Sequence, residues 1–300
     1  MKILNLGSLN YDRVYDLEHF VGAGETLLCT GYTEFLGGKG LNQSLALAKA
    51  GADVAHAGAV GPDGGALLSC LKANGVKTGY MKQVDTVSGH AIIQSVGGQN
   101  CIIVYGGANQ CVDEAYIQQA LADFSEGDLL LVQNETSNVP AAMHLAKSKG
   151  MKVAFNASPV TETMLRYPLE LVDYFLINEV EGKAISGCEC NDFDEILRQL
   201  TRRFPNAAIV LTLGGDGSLY QDGKTTVRQR AYTVPVVDTT AAGDTFTGFF
   251  LAALAQQIPV EQALDRASAA AALAVGRKGA ANSIPTLTEV LKFMDSPAAE

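Results

Sequence analysis

The stretch LNQSLALAKAGADVAHAGAVG, residues 41–61, decides the fold class. Its first ten residues, 41–50, carry apolar side chains at helical spacing, and residues 53–61 form a mostly apolar run of strand length. A second apolar run, KILNLGS at residues 2–8, lies on the other side of this helix. Two strands that bracket a helix predict a layered α/β arrangement.

The same alternation continues along the chain. Four further apolar runs have strand length, and the segments between them carry apolar residues at helical spacing. The predicted strands are residues 128–133, 152–158, 173–178 and 208–214. The predicted helices are residues 139–149, 193–204, 245–255, 260–276 and 287–294. Strands that are apolar on both faces and separated by helices predict an α/β fold, with a mostly parallel sheet covered on both sides.

Two regions interrupt the alternation with strand-like runs that no helix separates. They are residues 12–36, and residues 88–96 with 100–107, which the turn sequence GGQN joins as a hairpin. We interpret them as a small β-structure beside the main sheet that serves as a lid, formed by about residues 12–36 and 87–107. The sequence therefore predicts one domain, residues 1–300, with this lid.

Composition narrows the function classes. The formal net charge of −10 and the pI near 4.9 argue against the basic face that a nucleic-acid-binding protein presents. The longest apolar runs, such as FFLAALA, are too short to span a membrane. Six scattered cysteines, with no secretory segment at the start, predict free thiols in a cytoplasmic protein.

The stretch DTTAAGDTFTGFF, Asp238–Phe250, places two acids around a run of small residues in front of an apolar helix. If the helix begins near Ala242, the backbone amides around its start are unpaired donors at the positive end of the helix dipole. The small side chains of Ala241, Ala242 and Gly243 would let an anion reach those amides. Asp244 would then stand beside the anion to accept a proton, an arrangement that suits phosphoryl transfer. The alternative is that Asp244 is only an acid at a helix N-terminus.

A second motif, LGGKGLNQ at residues 36–43, is rich in glycine. Its glycines allow close approach to the backbone, and Lys39 and Asn42 add polar groups. The motif matches neither G-x-x-x-x-G-K-[ST] nor the G-x-G-x-x-G spacing of dinucleotide-binding folds. The alternative interpretation is a tight turn that leads into a helix.

Taken together, and in this order, GGKGLNQSLALAKAGADVAHAGAVGPDGG and DTTAAGDTFTGFF resemble the two signatures of the ribokinase family, the PfkB-type carbohydrate kinases. The resemblance extends from GSLNYD at residues 7–12 to GRKGAANSIP at residues 276–285, and includes NEVEG and TLGGDG. It implies a three-layer α/β/α domain with a mostly parallel central sheet and a small β-sheet lid. It also implies an ATP-dependent kinase that phosphorylates the primary hydroxyl of a sugar, D-ribose first among them.

The resemblance implies a role for individual residues. Asp244 would be the general base, and the amides around Ala241, Ala242 and Gly243 would form an anion hole for the transferred phosphoryl group. The positions around the sugar match Asn10, Asp12, Gly38, Lys39, Asn42 and Glu135, with Asp244. The positions beside the ATP nucleotide match Asn178, Thr212, Gly214, Gly217, Gly243 and Ser268. Asn178 and Glu181 match the motif that organises Mg²⁺ through water, and a K⁺ site matches Asp238, Thr240, Ala274, Arg277, Gly279 and Ser283.

Departures from the family pattern keep the substrate open. Tyr11 is bulkier than the usual residue, so it would either narrow the sugar pocket or pack under the lid. Ser268 stands where a histidine often lies beside the adenine. The alternatives are therefore a kinase for another small sugar or nucleoside, such as fructose, deoxyribose or an adenosine-like substrate, and a non-catalytic sugar sensor. The isolated lid strands leave an open sheet edge, and both this edge and the resemblance predict a homodimer that pairs two lids.

Overall fold

The computed structural model describes residues 1–296, which contain thirteen strands and nine α-helices. The strands are β1 (Ile3–Leu6), β2 (Asn10–Asp16), β3 (Gly31–Gly37), β4 (Val54–Val60), β5 (Lys77–Gln83), β6 (Gly89–Val96), β7 (Gln99–Tyr105), β8 (Leu129–Gln133), β9 (Lys152–Asn156), β10 (Tyr174–Asn178), β11 (Ala208–Thr212), β12 (Ser218–Gln221) and β13 (Thr226–Gln229). The helices are α1 (Lys39–Lys49), α2 (Gly65–Ala73), α3 (Glu114–Ala120), α4 (Val139–Ser148), α5 (Glu179–Ser186), α6 (Phe193–Arg203), α7 (Ala242–Ala255), α8 (Val260–Val275) and α9 (Leu287–Met294).

The larger sheet has nine strands in the order β13-β12-β11-β10-β9-β8-β1-β4-β5. Every pair from β11 to β5 is parallel, and only β12 and β13 add to the edge in antiparallel pairs. The inner parallel strands, such as β1, β4 and β8, are buried on both faces, which explains their continuous apolar sequences. The predicted α/β class with a mostly parallel central sheet is confirmed.

Successive residues of the central strands enter opposite layers of the core. In β1, Ile3 packs in one cluster, whereas Leu4 and Leu6 pack in the other. Helices α3 to α6 supply side chains to the second cluster, and α1, α2 and α7 to α9 supply the first. The period of two along each strand therefore divides the core into two layers, one on each face of the sheet.

A smaller sheet of four strands, in the order β3-β2-β6-β7, lies beside the first. Its outer pairs are antiparallel, whereas β2 and β6 run parallel. Strand β2 begins at Asn10, two residues before the predicted start of the lid, and β6 and β7 form the predicted hairpin. All seven residues of β7 are exposed, so this strand is an open edge.

Helices α1 and α7 cross at very short range. A Cβ atom added to Gly248 would lie 2.3 Å from Ala46 Cβ and 2.8 Å from the Leu47 amide nitrogen. Contacts under 3.0 Å cannot be relieved by a flexible side chain here, because one of the partners is backbone. Only glycine at position 248 lets the two helices approach this closely.

Three features of the fold differ from expectation. The prediction lacks β5 and β13, which lie at the two sheet edges where half-exposed sequences lose the apolar signal, and β12, which is only four residues long. It also lacks helices α2, α3 and α5, which are seven to nine residues long. The prediction of six free thiols is wrong for Cys188 and Cys190, which form a disulfide in the loop after α5. Their Cα atoms are 5.4 Å apart, a spacing that lets the two sulfur atoms meet.

Gly248→Ala tests the close crossing. We expect it to lower the free energy of unfolding by about 1–3 kcal/mol, since the added methyl group must push α1 away from α7. Gly65→Ala is the matched control, because a Cβ at this helical glycine would meet nothing within 4 Å. Urea unfolding of both variants measures the free energy of unfolding, and equal values for the two would contradict the close approach of α1 and α7 at Gly248.

Candidate active site

The candidate site lies at the carboxyl ends of the parallel strands. Glu135 follows β8, Asn178 ends β10 and Thr212 ends β11. The loop after β1 supplies Ser8 and leads into Asn10, the first residue of β2. Ligand sites of open α/β sheets form at this edge, where loops and helix N-termini converge.

Asp244 is held by two neighbouring amides of α1. Its Oδ2 accepts a hydrogen bond from Asn42 Nδ2 at 2.9 Å, and its Oδ1 accepts one from Gln43 Nε2 at 2.8 Å. The carboxyl group is buried, with 8% of the residue exposed. A buried carboxylate with both oxygens hydrogen-bonded keeps a fixed orientation.

The start of α7 presents unpaired backbone amides. Ala241 precedes the helix in the left-handed conformation (φ 60°), which turns the chain into its first residue. The amides of Ala241, Gly243 and Asp244 have no hydrogen-bond acceptor within residues 1–296, as expected for a helix start. Two neighbouring backbone amides already have acceptors. The Thr240 amide donates to Asp238 Oδ1, and the Ala242 amide donates weakly to the Thr239 carbonyl at 3.3 Å. The free donors are therefore fewer than the sequence predicted.

A cavity of about 480 Å³ joins these amides to the strand ends. Eight of the predicted residues line it: Lys39, Asn178, Glu181, Thr212, Gly214, Ala241, Gly243 and Asp244. Asn156, the last residue of β9, and Ser158, which follows the strand, also line it, and the sequence predicts no role for either. The cavity thus brings the glycine-rich motif of α1 and the acidic motif of α7 to one place.

Glu135 closes one side of this region. Its Oε2 accepts hydrogen bonds from the Ser8 hydroxyl and from the Lys39 amide nitrogen, the latter at 3.1 Å. Burial raises the pKa of the Glu135 carboxyl, and the Lys39 ammonium and these two donors oppose the rise. The contacts tie the loop after β1 to the start of α1.

Asn10 is fixed by a residue that the sequence did not single out. Asn109 Nδ2 donates to Asn10 Oδ1 at 2.8 Å, and Asn109 Oδ1 accepts from the Leu9 amide at 3.0 Å. A Cβ at Gly89 would lie 2.1 Å and 2.2 Å from these two side chains, so glycine is required beside them. Asn109 lies in a short 3₁₀ turn with no recognisable motif, which is why it was missed.

Tyr11 points away from its neighbours Asn10 and Asp12, as alternation along a strand requires. Its hydroxyl donates to the Asp63 carbonyl at 2.7 Å, and its ring is buried in the core cluster of α1 and α7. Of the two predicted possibilities, packing under the small sheet is therefore the one observed.

Asp12 lies among charges of the same sign. Burial, followed by the nearby carboxylates of Glu135 and Asp244, raises its pKa from 3.8 to about 7, and the Lys39 ammonium opposes this rise. For Lys39, burial lowers the pKa, but the four surrounding carboxylates, Asp244 foremost, outweigh burial and raise it. One cation thus faces several acids, and it stays protonated at neutral pH.

Asn178 and Glu181 form a capping box at the start of α5. Asn178 Oδ1 accepts from the amides of Val180 and Glu181, and Glu181 Oε2 accepts from the Asn178 amide at 2.9 Å. The two side chains also meet, with Asn178 Nδ2 donating to Glu181 Oε1 at 3.1 Å. The same pair therefore begins the helix and faces the cavity.

Two loops meet beside the start of α7. Asp238 Oδ2 accepts a hydrogen bond from the Gly279 amide at 3.0 Å, and Asp238 Oδ1 accepts from Thr240 Oγ1 at 2.6 Å. The Arg277 guanidinium points elsewhere, to Glu289 Oε1 at 2.7 Å. Ser283 and Ala274, which lie within five residues of Gly279 in the sequence, are fully buried. Ser283 Oγ donates to the Ala280 carbonyl.

Some predicted residues lie outside the cavity lining. Ser268 is buried within α8, and Gly217 packs against β13, where a Cβ would lie 2.1 Å from the Gln229 carbonyl oxygen. Gly217 is therefore needed for the turn between β11 and β12. Gly38 has a φ of 90° and lies against Asn10, so it too is required by the backbone.

Asp12→Asn tests the electrostatics of the site. Between pH 3.8 and about 7 the folded protein keeps a proton on Asp12 that the unfolded chain has lost. Stability that depends on this proton is lost as the pH rises through that window. We expect Asp12→Asn to have a higher Tm than the unaltered protein at pH 8, with a gain that shrinks toward pH 4. Calorimetry checks this, with exposed Asp16→Asn as the control, and a gain independent of pH would contradict it.

Comparisons with known proteins agree with this architecture. Residues 1–287 match the model of the pfkB family of carbohydrate kinases. A ribokinase from Haemophilus influenzae is 34% identical over 299 residues, covering 97% of each chain. Among solved structures, a ribokinase from Cryptococcus neoformans in complex with ADP has a TM-score of 0.83 at 35% identity, and covers 97% of this chain and 99% of that one. An Arabidopsis thaliana ribokinase complexed with ribose and ATP has a TM-score of 0.85 at 28% identity, covering 98% and 99%.

The likeness covers both sheets and both sequence motifs, because the matched residues include everything from β1 to the start of α9. It confirms the predicted family and the predicted fold. The chain belongs to the pfkB family of carbohydrate kinases.

Proposed function

We propose that this protein transfers the γ-phosphoryl group of ATP to the primary hydroxyl of D-ribose, with Asp244 as the general base. One observation carries the proposal: a buried, oriented carboxylate stands directly beside unpaired amides of a helix start, in one cavity with an ammonium group. Ribokinases at 34–35% identity over nearly the whole chain support ribose as the sugar.

In this mechanism, Asp244 accepts the proton of the attacking hydroxyl group. The amides of Ala241, Gly243 and Asp244 donate to the oxygens of the transferred phosphoryl group, where negative charge is spread in the transition state. Lys39, which stays protonated among the carboxylates, neutralises charge between sugar and phosphates. Positioning and charge stabilisation then supply most of the catalysis.

We assign the sugar to the space among Asn10, Asp12, Gly38, Lys39, Asn42 and Glu135. A polyol offers hydroxyls that both donate and accept, and carboxylates with amides match them in pairs. Asn42 Oδ1 is buried and has no hydrogen-bond partner within residues 1–296, although its Nδ2 is bonded to Asp244. Because an unpaired buried acceptor is costly, a sugar hydroxyl is a suitable donor for it.

We assign the nucleotide to the strand ends near Asn178, Thr212, Gly214 and Gly243, and extend it along α8 toward Ser268. Asn178 and Glu181 fit Mg²⁺, since Glu181 is a buried carboxylate that faces the cavity. Because the Glu181 oxygens already accept hydrogen bonds from Asn178, we propose that they hold the ion through water. When bound, Mg²⁺ would neutralise phosphate charge. Thr212 and Gly214, at the end of β11, then border the nucleotide.

A K⁺ ion fits the meeting of the loops that contain Asp238 and Gly279. The proposed ligands are oxygens, most of them main-chain carbonyls: Asp238, Thr240, Ala274, Arg277, Gly279 and Ser283. Arg277 would contribute its carbonyl only, since its guanidinium is bonded to Glu289. Carbonyl oxygens suit K⁺, and an ion here would order the loop that precedes the free amides of α7.

We propose that the smaller sheet, as part of a single domain, acts as a lid over the sugar. Strand β2 supplies Asn10 and Asp12, and the Phe35 ring of β3 lies against Gly279, where an added Cβ would be 3.2 Å from Phe35 Cε1. Closure of such a lid excludes water, which competes for the phosphoryl group.

ATP as co-substrate supports a cytoplasmic location. No helix within residues 1–296 has the length and hydropathy needed to cross a membrane.

Ribose-dependent release of ADP tests the proposed reaction. The unaltered protein should turn over ribose in the presence of Mg²⁺ and K⁺, lose activity with a chelator, and lose part of it when Na⁺ replaces K⁺. Asp244→Asn should lower kcat at least 10²-fold while it still binds ribose by calorimetry. Asp53→Asn is the control, because this exposed carboxylate pairs with Lys77 at the amino end of β4, the opposite edge of the sheet. No turnover with ribose but turnover with another sugar or a nucleoside would favour the alternative kinases, and ribose binding without any turnover would favour a sensor.

A homodimer formed by pairing of two lids is the proposed assembly. Ile102, Ile103 and Val104 of edge strand β7 are 55–62% exposed, an apolar surface on a strand that pairs only with β6 within residues 1–296. We expect the protein to elute as a dimer and Ile103→Asp to elute as a monomer, measured by light scattering after gel filtration. Leu291→Asp, an exposed apolar residue on α9, should remain a dimer. A monomeric unaltered protein would contradict the assembly.

A further inference from the structure

A chain of buried amides leads from the sheet to Asp244. Gln133, the last residue of β8, donates from Nε2 to Gln43 Oε1 at 2.7 Å and to Asn5 Oδ1 at 2.9 Å. Gln43 donates from Nε2 to Asp244 Oδ1 at 2.8 Å and to Asn156 Oδ1 at 3.1 Å. Asn5, Gln43 and Gln133 are at most 1% exposed.

The hydrogen bonds fix which end of each amide points where. Asn5 Nδ2 uses its two N–H groups on the Gly40 carbonyl and on Ser44 Oγ, so its Oδ1 must face Gln133. Gln133 then has to present its nitrogen to both Asn5 and Gln43. Because Gln43 Oε1 accepts that N–H, the nitrogen of Gln43 is the only atom left for Asp244.

Reversal of any amide in the chain would place oxygen against oxygen. A reversed Gln43 would set Oε1 against the Asp244 carboxylate and its nitrogen against the Gln133 donor. Such a buried mismatch leaves donors and acceptors unpaired and is strongly disfavoured. The orientation at Asp244 is therefore set several residues away, inside the sheet.

Gln43 differs in this respect from its neighbour Asn42. Both residues donate to the Asp244 carboxylate, but Asn42 Oδ1 has no partner in the described part of the chain and is free to accept from a ligand. Gln43 has both of its N–H groups and its oxygen bonded to the protein. Asn42 is thus available to a substrate, whereas Gln43 is committed to the fold.

We propose that Gln43 is a positioning residue that fixes the plane of the Asp244 carboxylate, and that Gln133 enforces the required orientation of Gln43. This inference rests on the proposed function, since it assigns a second determinant to the same base. With Asn42 on Oδ2 and Gln43 on Oδ1, rotation of the carboxylate would break at least one hydrogen bond. Asp244 is therefore oriented toward the attacking hydroxyl before the sugar arrives.

Gln43→Glu gives the sharpest test, because it keeps the shape and replaces the donor by a second carboxyl group. Two carboxyl groups at hydrogen-bond distance share a proton, so a proton would occupy the base at neutral pH. We expect kcat to fall at least about tenfold at pH 7, and the acid limb of the kcat–pH profile to move up by about one unit or more. An unchanged acid limb in a folded variant would overturn the proposal.

A double-mutant cycle tests the role of Gln133. Gln43→Met should lower kcat about 10–100-fold, with the KM for ribose changed less than about threefold. Gln133→Met should lower kcat less, by about 3–10-fold. The double variant should be no slower than Gln43→Met alone, because Gln133 acts only through Gln43. Additive losses would overturn the assignment to Gln133.

Thr245→Val is the matched control, since Thr245 is fully buried next to Asp244 and its hydroxyl has no partner within residues 1–296. Its kcat should stay within about twofold of the unaltered protein. Circular dichroism and Tm establish that each variant is folded, and Gln43→Asn replaces Gln43→Met if the latter is not. An inactive unaltered protein would refute the proposed function itself, whereas an active one with insensitive Gln43 variants refutes this inference alone.

Discussion

Helices α1 and α7 touch backbone to backbone where Gly248 meets Ala46, and this contact sets the geometry of the site. One helical turn before each of these residues lie Asp244 and Asn42, which meet at 2.9 Å. The distance between the carboxylate and its amide partners therefore follows from how closely the helices pack. A larger residue at the crossing would separate groups that must stay in hydrogen-bond contact, so packing in the core and chemistry at the strand ends depend on the same glycine.

Around this crossing, the protein concentrates charge that is costly without a ligand. Burial, together with the nearby carboxylates of Glu135 and Asp244, raises the pKa of Asp12 to about 7, with Lys39 as the nearby counter-charge. Within residues 1–296, three amides at the start of α7 and the Asn42 side-chain oxygen add further groups without hydrogen-bond partners. A bound polyol and a bound phosphate would supply hydrogen-bond partners to the charged groups and to the unsatisfied groups together. Stability is thus given up locally for binding, as is common at functional sites.

The sequence predicted the central fold because buried parallel strands and amphipathic helices have distinct periods. The two motifs also predicted the site, since the small residues at 241–243 and the glycines at 37, 38 and 40 reflect close approach of the backbone, which is a local requirement. Edge strands β5 and β13 escaped prediction because exposure removes their apolar signal, and β12 escaped because it is only four residues long. Gln43, Gln133, Asn5 and Asn109 escaped because an amide in a buried chain has no characteristic spacing; its partners are set by tertiary structure.

The central claim is that Asp244 deprotonates the primary hydroxyl of a sugar while the amides of α7 hold the phosphoryl group. The most direct measurement is the position of the phosphate in the product, read by ¹³C NMR after incubation of labelled ribose with ATP, Mg²⁺ and K⁺. The account predicts that phosphorus splits the C5 and C4 resonances alone, as expected for an ester on the primary hydroxyl. Phosphorus coupling centred on C1, or no sugar phosphate at all, would contradict it.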